Sequence, residues 1–297
     1  MEAPKLLCRY RQFNDNNLDA LEKGRLYFSI PYYFNDPFDS FAYINEDKYF
    51  ASIAHEWDVG FGQGEYFKNV LKIDPNSDMA KLIKEQVDNQ DIRKQHLQRI
   101  KEEIKAVQKQ VISNTKVICF SESFLSTLMW SHYAGEHTGF ALLFDFNELK
   151  SAKVYDADGK TLPLEAWLDR VVYQTKAPDY GQDFFEEMPN RLSYRPPFLP
   201  NNKSTTFHTK YLYNKQADWS YEKEWRLCAV GEDVSEKSRA QYIKVNPYAV
   251  LLGARMKHQD RVRIHRILEK KNIFVYEVFA DDSTPHYSLS RRRVFSV

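Results

Sequence analysis

A chain of 297 residues with 43% hydrophobic side chains is long enough to bury its own core. Its 42 lysines and arginines face 41 aspartates and glutamates, a formal charge of +1, so no global field draws in a nucleic-acid backbone and any such contact must be local. Three cysteines, Cys8, Cys119 and Cys228, lie far apart without CxxC spacing, which argues against a disulfide framework or a zinc site and reads as a reduced, cytoplasmic set. No apolar run approaches the ~18 residues of a membrane span. The opening MEAPKLLCRYR has no signal-peptide core, so neither secretion nor membrane insertion is expected.

The first elements predicted are a strand at Leu6 to Tyr10 and a helix from about Asn16 to Lys23, capped by Asn14 or Asp15 and stopped by Gly24. A second strand, Arg25 to Ile30, ends at Pro31, and FNDPFD (Phe34 to Asp39) supplies the residues of a turn. Between Asn76 and Asn114 neither proline nor glycine interrupts the chain. There Leu97, Ile100, Ile104, Val107 and Val111 recur at helical spacing, and Leu82, Ile83 and Val87 predict a partner helix. Residues 46–114 thus read as a helical insertion, its stripe facing its own domain or docking a partner protein.

Val117 to Phe120 and Phe140 to Phe144 are nearly all-apolar runs, as central strands require, with LMWSHYAGEH between them as a short helix or turn. A strand at Val171 to Tyr173 precedes a proline-rich stretch, Gln174 to Thr206, whose Tyr180, Phe184, Phe185, Tyr194 and Phe198 suggest a lid. Phe207, Tyr211, Leu212 and Lys215 fall on one helical stripe leading to Trp219, after which EKEWRLCAV reads as a strand entering the core. The tail predicts strands at Tyr242 to Val245 and Ala249 to Leu252, then Gly253, a helix from Gln259 to Lys271 and a strand at Phe274 to Phe279. A last strand near Tyr287 to Leu289 precedes Arg291, Arg292 and Arg293. The expected fold is a single α+β domain: a mixed, mostly antiparallel central sheet with flanking helices and a helical insertion.

Glu222 and Glu224 sit two apart at a strand mouth, where alternation projects both to one side. Paired carboxylates can raise one pKa and leave the other group ionised, which suits breaking a glycosidic bond; a solvated strand end with Arg226 as ion partner is the plainer alternative. Arg9 and Arg11, also two apart, would aim two guanidinium forks at phosphate oxygens, or stand as surface arginines. Trp130, His132 and Tyr133 can stack a flat ring, donate hydrogen bonds and move a proton, although a histidine satisfied by a backbone carbonyl is equally ordinary. His132 and His137 are not at metal-pair spacing and no HExxH completes a ligand set, so no metal is expected. Asn35 and Asp36 suit an Asx-type turn with Asp39 close by; the alternative roles are hydrogen bonds to a ligand, or a divalent ion held by Asp36 and Asp39. Glycine-rich phosphate loops and a GxSxG elbow are absent from the sequence, which sets aside kinases, Rossmann enzymes and serine hydrolases. Arg291, Arg292 and Arg293 with Arg261, Arg263, Arg266, Lys270 and Lys271 form a local basic patch or a solvated helix face and tail.

Taken in order, RYR, LYFSIPYYFNDPFD, CFSE, LMWSHYAGEHTGFALLFD, WSYEKEWRL and LLGARM resemble a bacterial family, domain of unknown function 2971, across nearly the whole chain. Members of that family often look like accessory or defence genes of bacteria and phages. A second resemblance is to the ADP-ribosyltransferase superfamily, with Arg11 on strand one, Tyr27 and Ser29 on strand two, and Glu224, or Glu222 in an E-x-E pattern, on the last strand; Ser29 stands in FSIP rather than in a Ser-Thr-Ser run. This implies NAD as substrate, cleaved at the nicotinamide–ribose bond. Arg11 would hold phosphate, and Tyr27, Trp130 or Tyr133 would stack nicotinamide. Arg9, Ser29, Asn35, Asp36 and Arg226 would line the cofactor, with Glu224, Glu222 and His132 in the chemistry. ADP-ribose would pass to a protein, a nucleic acid or water, as in a toxin or an anti-phage effector. The rival classes are a metal-dependent nuclease using Asp36, Asp39, Glu222 and Glu224, and a non-catalytic module that senses a nucleotide or a phage protein.

Overall fold

The structure is a computed structural model that describes residues 3–40, 72–91, 115–164, 166–179, 211–230, 241–269, 271–283 and 285–294, with 43, 45, 68, 94, 95, 98 and 102 besides. The chain divides into two compact units, one of Met1–Asp39, Ser113–Thr175 and Tyr213–Val297, the other of Ser40–Ile112 and Lys176–Leu212. The expected insertion and the aromatic stretch fall almost wholly in the second unit. The stripe from Leu97 to Val111 lies outside the described residues, as do Tyr180, Phe184, Phe185, Tyr194 and Phe198. The partner helix is described, Asp78–Asp88, opened by the Ser77 hydroxyl accepting from Ala80 N at 3.2 Å.

In the first unit β1 (Leu6–Arg11) leads into α1 (Asp15–Lys23). Asn14 caps that helix through Asn17 N, and Gly24 closes it at φ 61°, a left-handed conformation that costs glycine nothing. The next strand, β2 (Arg25–Tyr27), is shorter than expected because Ser29 leaves it to make a reciprocal backbone bridge with Val117 at 2.8 Å. The apolar runs become β3 (Thr115–Ser121) and β4 (Phe140–Asp145), separated by α2 (Thr127–Tyr133), with Ser126 as its cap. After α3 (Phe146–Lys150) come β5 (Val154–Tyr155), β6 (Ala166–Arg170) and β7 (Val172–Gln174).

The expected helix through Lys215 is not formed. Tyr211–Tyr213 is a single 3-10 turn, Lys215 lies in β8 (Asn214–Gln216) paired parallel to β7, and a second 3-10 segment spans Ala217–Glu222. The chain finishes with β9 (Glu224–Val230), β10 (Tyr242–Lys244), β11 (Ala249–Leu252), α4 (His258–Leu268), β12 (Phe274–Asp281) and β13 (Ser288–Val294). Arg291, Arg292 and Arg293, expected beyond the last strand, are inside it.

Eight strands form one sheet in the order β13-β12-β11-β4-β1-β3-β9-β6, antiparallel throughout except for β11–β12, which α4 connects as a crossover. The fold is therefore α+β, with a mixed and mostly antiparallel sheet. A smaller sheet, β2-β10-β5, stands beside it. Alternation sorts the core into two layers. Leu7, Ile118, Phe120, Phe144 and Leu227 pack with α1 and α4, whereas Cys8, Tyr10, Ala141, Leu143 and Leu251 lie under Met129 and Trp130 of α2. Gly253 has to be glycine, since a Cβ there would stand 2.2 Å from the carbonyl oxygen of His137.

Candidate functional site

On the α2 side of the sheet, five charged side chains meet in the interior. Arg226 of β9 is fully buried, and its planar fork matches two carboxylates at once. Nε and Nη2 donate to Glu224 at 2.8 and 3.0 Å, while Nη1 and Nη2 donate to Asp39 at 2.8 and 2.7 Å. Lys215 Nζ, brought in by the parallel β7–β8 pair, lies 2.6 Å from Glu222, 3.2 Å from Glu224 and 3.4 Å from Asp39. Tyr133, at the end of α2, donates to the second oxygen of Glu222 at 2.5 Å, and Tyr173 Oη accepts the amide of Glu224 at 2.8 Å.

Glu222 and Glu224 do share a site, but not through strand alternation. Glu222 ends the 3-10 segment, Lys223 is left-handed at φ 46°, and Glu224 opens β9. The left-handed residue turns the chain so that both carboxylates meet the same ammonium. The backbone carbonyl of Glu222 is pinned separately, by the Ser121 hydroxyl at 2.5 Å.

Electrostatics separates the two acids. Burial pushes the Glu222 carboxyl up; Lys215 pulls it back, Glu224 adds to the rise, and the outcome lies above its ordinary value. Burial would also raise Glu224, yet Arg226 and then Lys215 hold it at about 2. Burial opposes the charge on Lys215, but Glu224, Asp39 and Glu222 together push its pKa well up. One carboxylate is thus held in its ionised form and its neighbour is the weaker acid of the two.

Partly exposed rings border the cluster. The Trp219 and Tyr221 rings are 6.1 Å apart, Tyr221 and the exposed His132 6.2 Å, and His132 and Tyr133 6.4 Å. Burial raises the pKa of the Tyr133 hydroxyl and nearby Asn35 draws it down, so Tyr133 and Asn35 both reach the site. Asp36 makes the expected Asx turn, its Oδ1 accepting from Phe38 N at 2.8 Å.

Other expected site residues lie elsewhere. Cys8 pairs with Ser121, and Ser121 with Glu224, so alternation turns Arg9 and Arg11 to the opposite face, where Arg9 lies 5.8 Å from the ring of Phe120. The Arg9 guanidinium donates to the carbonyl of Cys119 at 3.0 Å, and burial lowers its pKa to about 10 against the pull of Cys119 and Glu224. Burial, then the charge of Arg9, push the Arg11 pKa well down. Trp130 is wholly buried, packed edge-on against Tyr10 with its indole N–H on the carbonyl of Phe124, and so presents no face to a ligand ring. Tyr27 belongs to the small sheet, paired with Tyr242, and Ser29 is held by the backbone of β3. Arg226 is committed to Glu224 and Asp39 rather than open to a cofactor.

Lys215 is read from the sequence as part of a helical stripe and not as a site residue, because its position depends on β7 pairing with β8. Asp39 was noted beside Asp36, but its partner Arg226 is 187 residues away. For a nuclease, the point between Asp39, Glu222 and Glu224 where a divalent cation would sit is taken by the ammonium of Lys215. Among the described residues, moreover, no three histidine, cysteine or acidic side chains are grouped to hold a metal ion.

Residues 129–227 match the model of a family described as protein of unknown function, DUF2971. Over that segment the chain is similar to the family. The matched segment is shorter than the near-complete span of resembling motifs, and it contains Tyr133, Lys215, Glu222, Glu224 and Arg226 while leaving out Asp39, Arg9 and Arg11. No curated protein matches the chain, and neither does any solved structure.

Proposed function

We propose that the cluster around Glu222 and Glu224 is the reaction centre of an NAD-consuming transferase that breaks the nicotinamide–ribose bond and passes ADP-ribose to a macromolecule or to water. The observation that carries this is the divergence of two carboxyls bound to one lysine, Glu222 displaced upwards and Glu224 down to about 2. Acids whose surroundings drive them apart divide the work of proton transfer and fixed charge. Cleavage of the glycosidic bond sends its electron pair out with nicotinamide and leaves an oxocarbenium-like ribose. Glu224, ionised throughout the physiological range, is the charge to stand beside that cation. Glu222, the stronger base of the two, takes the acceptor's proton as the new bond to the ribose carbon forms. Tyr221, Trp219 and His132 offer ring faces for nicotinamide. Arg9 and Arg11, on the other face of the sheet, are given no part in holding the pyrophosphate.

Purified protein incubated with NAD and a cell extract, followed by free nicotinamide and labelled ADP-ribose, tests this directly. Wild type should release nicotinamide and a folded Glu224→Gln variant should not. Absence of release with every acceptor extract, including extract of phage-infected cells, would reject it. Release would also make a toxin or anti-phage role the next assay.

One observation favours a second reading: the charged side chains of the cluster are no more than 5% exposed. A centre so closed suits a non-catalytic module in which the ion cluster fixes the fold and the aromatic border senses a nucleotide or a phage protein. A thermal shift with nucleotide that survives in Glu224→Gln, without nicotinamide release, would select it.

A further inference from the structure

The basic residues near the C-terminal end of the chain do not form one patch. On the α1 and α4 side Arg261, Arg263, Arg292 and Lys271 have partners within the chain, and Lys270 lies outside the described residues. Arg261 pairs with Glu277, Arg263 with Asp15 at 2.9 Å, and Arg292 with Glu277 at 2.9 Å, while Lys271 Nζ donates to the carbonyls of Leu21 and Glu22 at 2.9 and 2.6 Å. Arg291 and Arg293 alternate with Arg292 and therefore point to the opposite face, the one that carries α2.

There they join a row in which rings and guanidinium groups alternate. Tyr248, 49% exposed, lies 5.2 Å from Phe274. Arg293 stands 4.4 Å over Phe274, and Arg291 stands 4.6 Å over Tyr276 and 4.7 Å over Phe124. Arg291 is exposed, and no carboxylate among the described residues forms an ion pair with it. The row follows β13, the outermost strand of the large sheet.

We propose that this edge binds single-stranded nucleic acid. A guanidinium held over a ring keeps its charge, because the ring shields the stem without neutralising it, and its fork matches phosphate oxygens. The exposed ring of Tyr248 and the outer planes of the guanidinium groups are surfaces on which unpaired bases stack without regard to sequence. A duplex hides its base faces and an acidic peptide has none, so both would use the charge and leave the rings idle. The nearly neutral chain supplies no global field, so the attraction has to be local. The proposal needs neither NAD nor the carboxylate cluster.

The test is fluorescence anisotropy with labelled oligothymidylate and oligouridylate over a salt series, using the full chain and confirming each variant's fold by circular dichroism. Wild type should bind, with log K falling linearly against log salt. Arg291→Gln/Arg293→Gln should lose two phosphate contacts and flatten that slope by about 1.4, at ~0.7 per contact on a single strand. Arg292→Gln, on the other face, should leave the slope unchanged. Arg291→Lys/Arg293→Lys should keep the slope and bind more weakly, since the ammonium lacks the flat fork. A Glu224→Gln variant should bind like wild type, which separates this surface from the proposed reaction. Failure to bind at low salt, binding indifferent to the double glutamine variant, or competition by polyglutamate as effective as by oligonucleotide would each overturn the proposal.

Discussion

Glu222→Gln and Glu224→Gln are nearly identical changes two residues apart, and the cluster makes them opposite in effect. Glu224 is held at about 2 rather than at its ordinary 4.5. At ~1.4 kcal/mol for each tenfold, that is worth about 3 kcal/mol to the folded state at neutral pH, a large part of the ~5–15 kcal/mol a domain has. Because the folded value is depressed, this stabilisation is complete above pH 4.5 and is lost as pH falls through about 2. Glu222 has the other sign. Its raised pKa means the folded chain holds the proton more tightly, so its charge costs stability above the folded value, and the cost disappears as pH falls below the unfolded one. Removing that charge also leaves Asp39 and Glu224 balanced against Lys215 and Arg226. Urea unfolding at pH 7 should therefore show Glu224→Gln destabilised by about 3 kcal/mol and Glu222→Gln within ~1 kcal/mol of wild type. Repeated towards pH 2.5, the deficit of Glu224→Gln should shrink. Equal losses for the two variants at pH 7, or a Glu224→Gln deficit that ignores pH, would refute the electrostatic account of the site.

Three further outcomes follow from the same geometry. Tyr133→Phe removes the 2.5 Å hydrogen bond that draws the Glu222 pKa down; it should cost about 1.5–3 kcal/mol in urea unfolding and move the acid limb of nicotinamide release to higher pH. Lys223→Gly should raise the unfolding free energy measured in urea by up to about 1 kcal/mol, since only glycine adopts φ 46° without strain, whereas Lys223→Val should lower it. Gly253→Ala would push a methyl group to 2.2 Å from the His137 carbonyl oxygen and should lower stability by about 2–3 kcal/mol, seen as a reduced melting temperature.

What the sequence disclosed was whatever local chemistry decides. Asn14 and Gly24 bracket α1, and the apolar runs that became β3, β4 and β11 are buried on both faces, so caps and hydrophobicity alone located them. β5, β6 and β8 escaped because short strands owe their existence to partners distant in the chain; β8 exists only against β7. The stripe of Tyr211, Leu212 and Lys215 mimicked a helix although Lys215 is buried for its charge and not for its stem. The two glutamates were paired correctly on a mistaken premise, since the left-handed Lys223 does what alternation was expected to do. Alternation did govern β1, and it turned the arginines away from the carboxylates, because register with Ser121 gave the inner position to Cys8.

The buried cluster also has to be reconciled with its cost. Ion pairs taken out of water rarely repay their desolvation, and apolar side chains of equal volume would stabilise the fold as well or better. Asp39, Glu222 and Glu224 exceed Lys215 and Arg226 by one negative charge. Arg9 feels Glu224 from across the sheet but bonds only a backbone carbonyl, so it relieves that excess from a distance. The remaining imbalance falls on the carboxyl with the least cationic support, Glu222, whose acidity is weakened and whose outer oxygen meets the Tyr133 hydroxyl at 2.5 Å. A proton can therefore be gained or lost at Glu222 without disturbing the bidentate Arg226 pairs that hold β9 to Asp39. Tyr133 is half-buried and its ring adjoins exposed His132, so the side chain that bonds this labile position itself reaches the surface. A purely structural ion cluster has no need of that placement, whereas proton transfer to or from a bound ligand requires it.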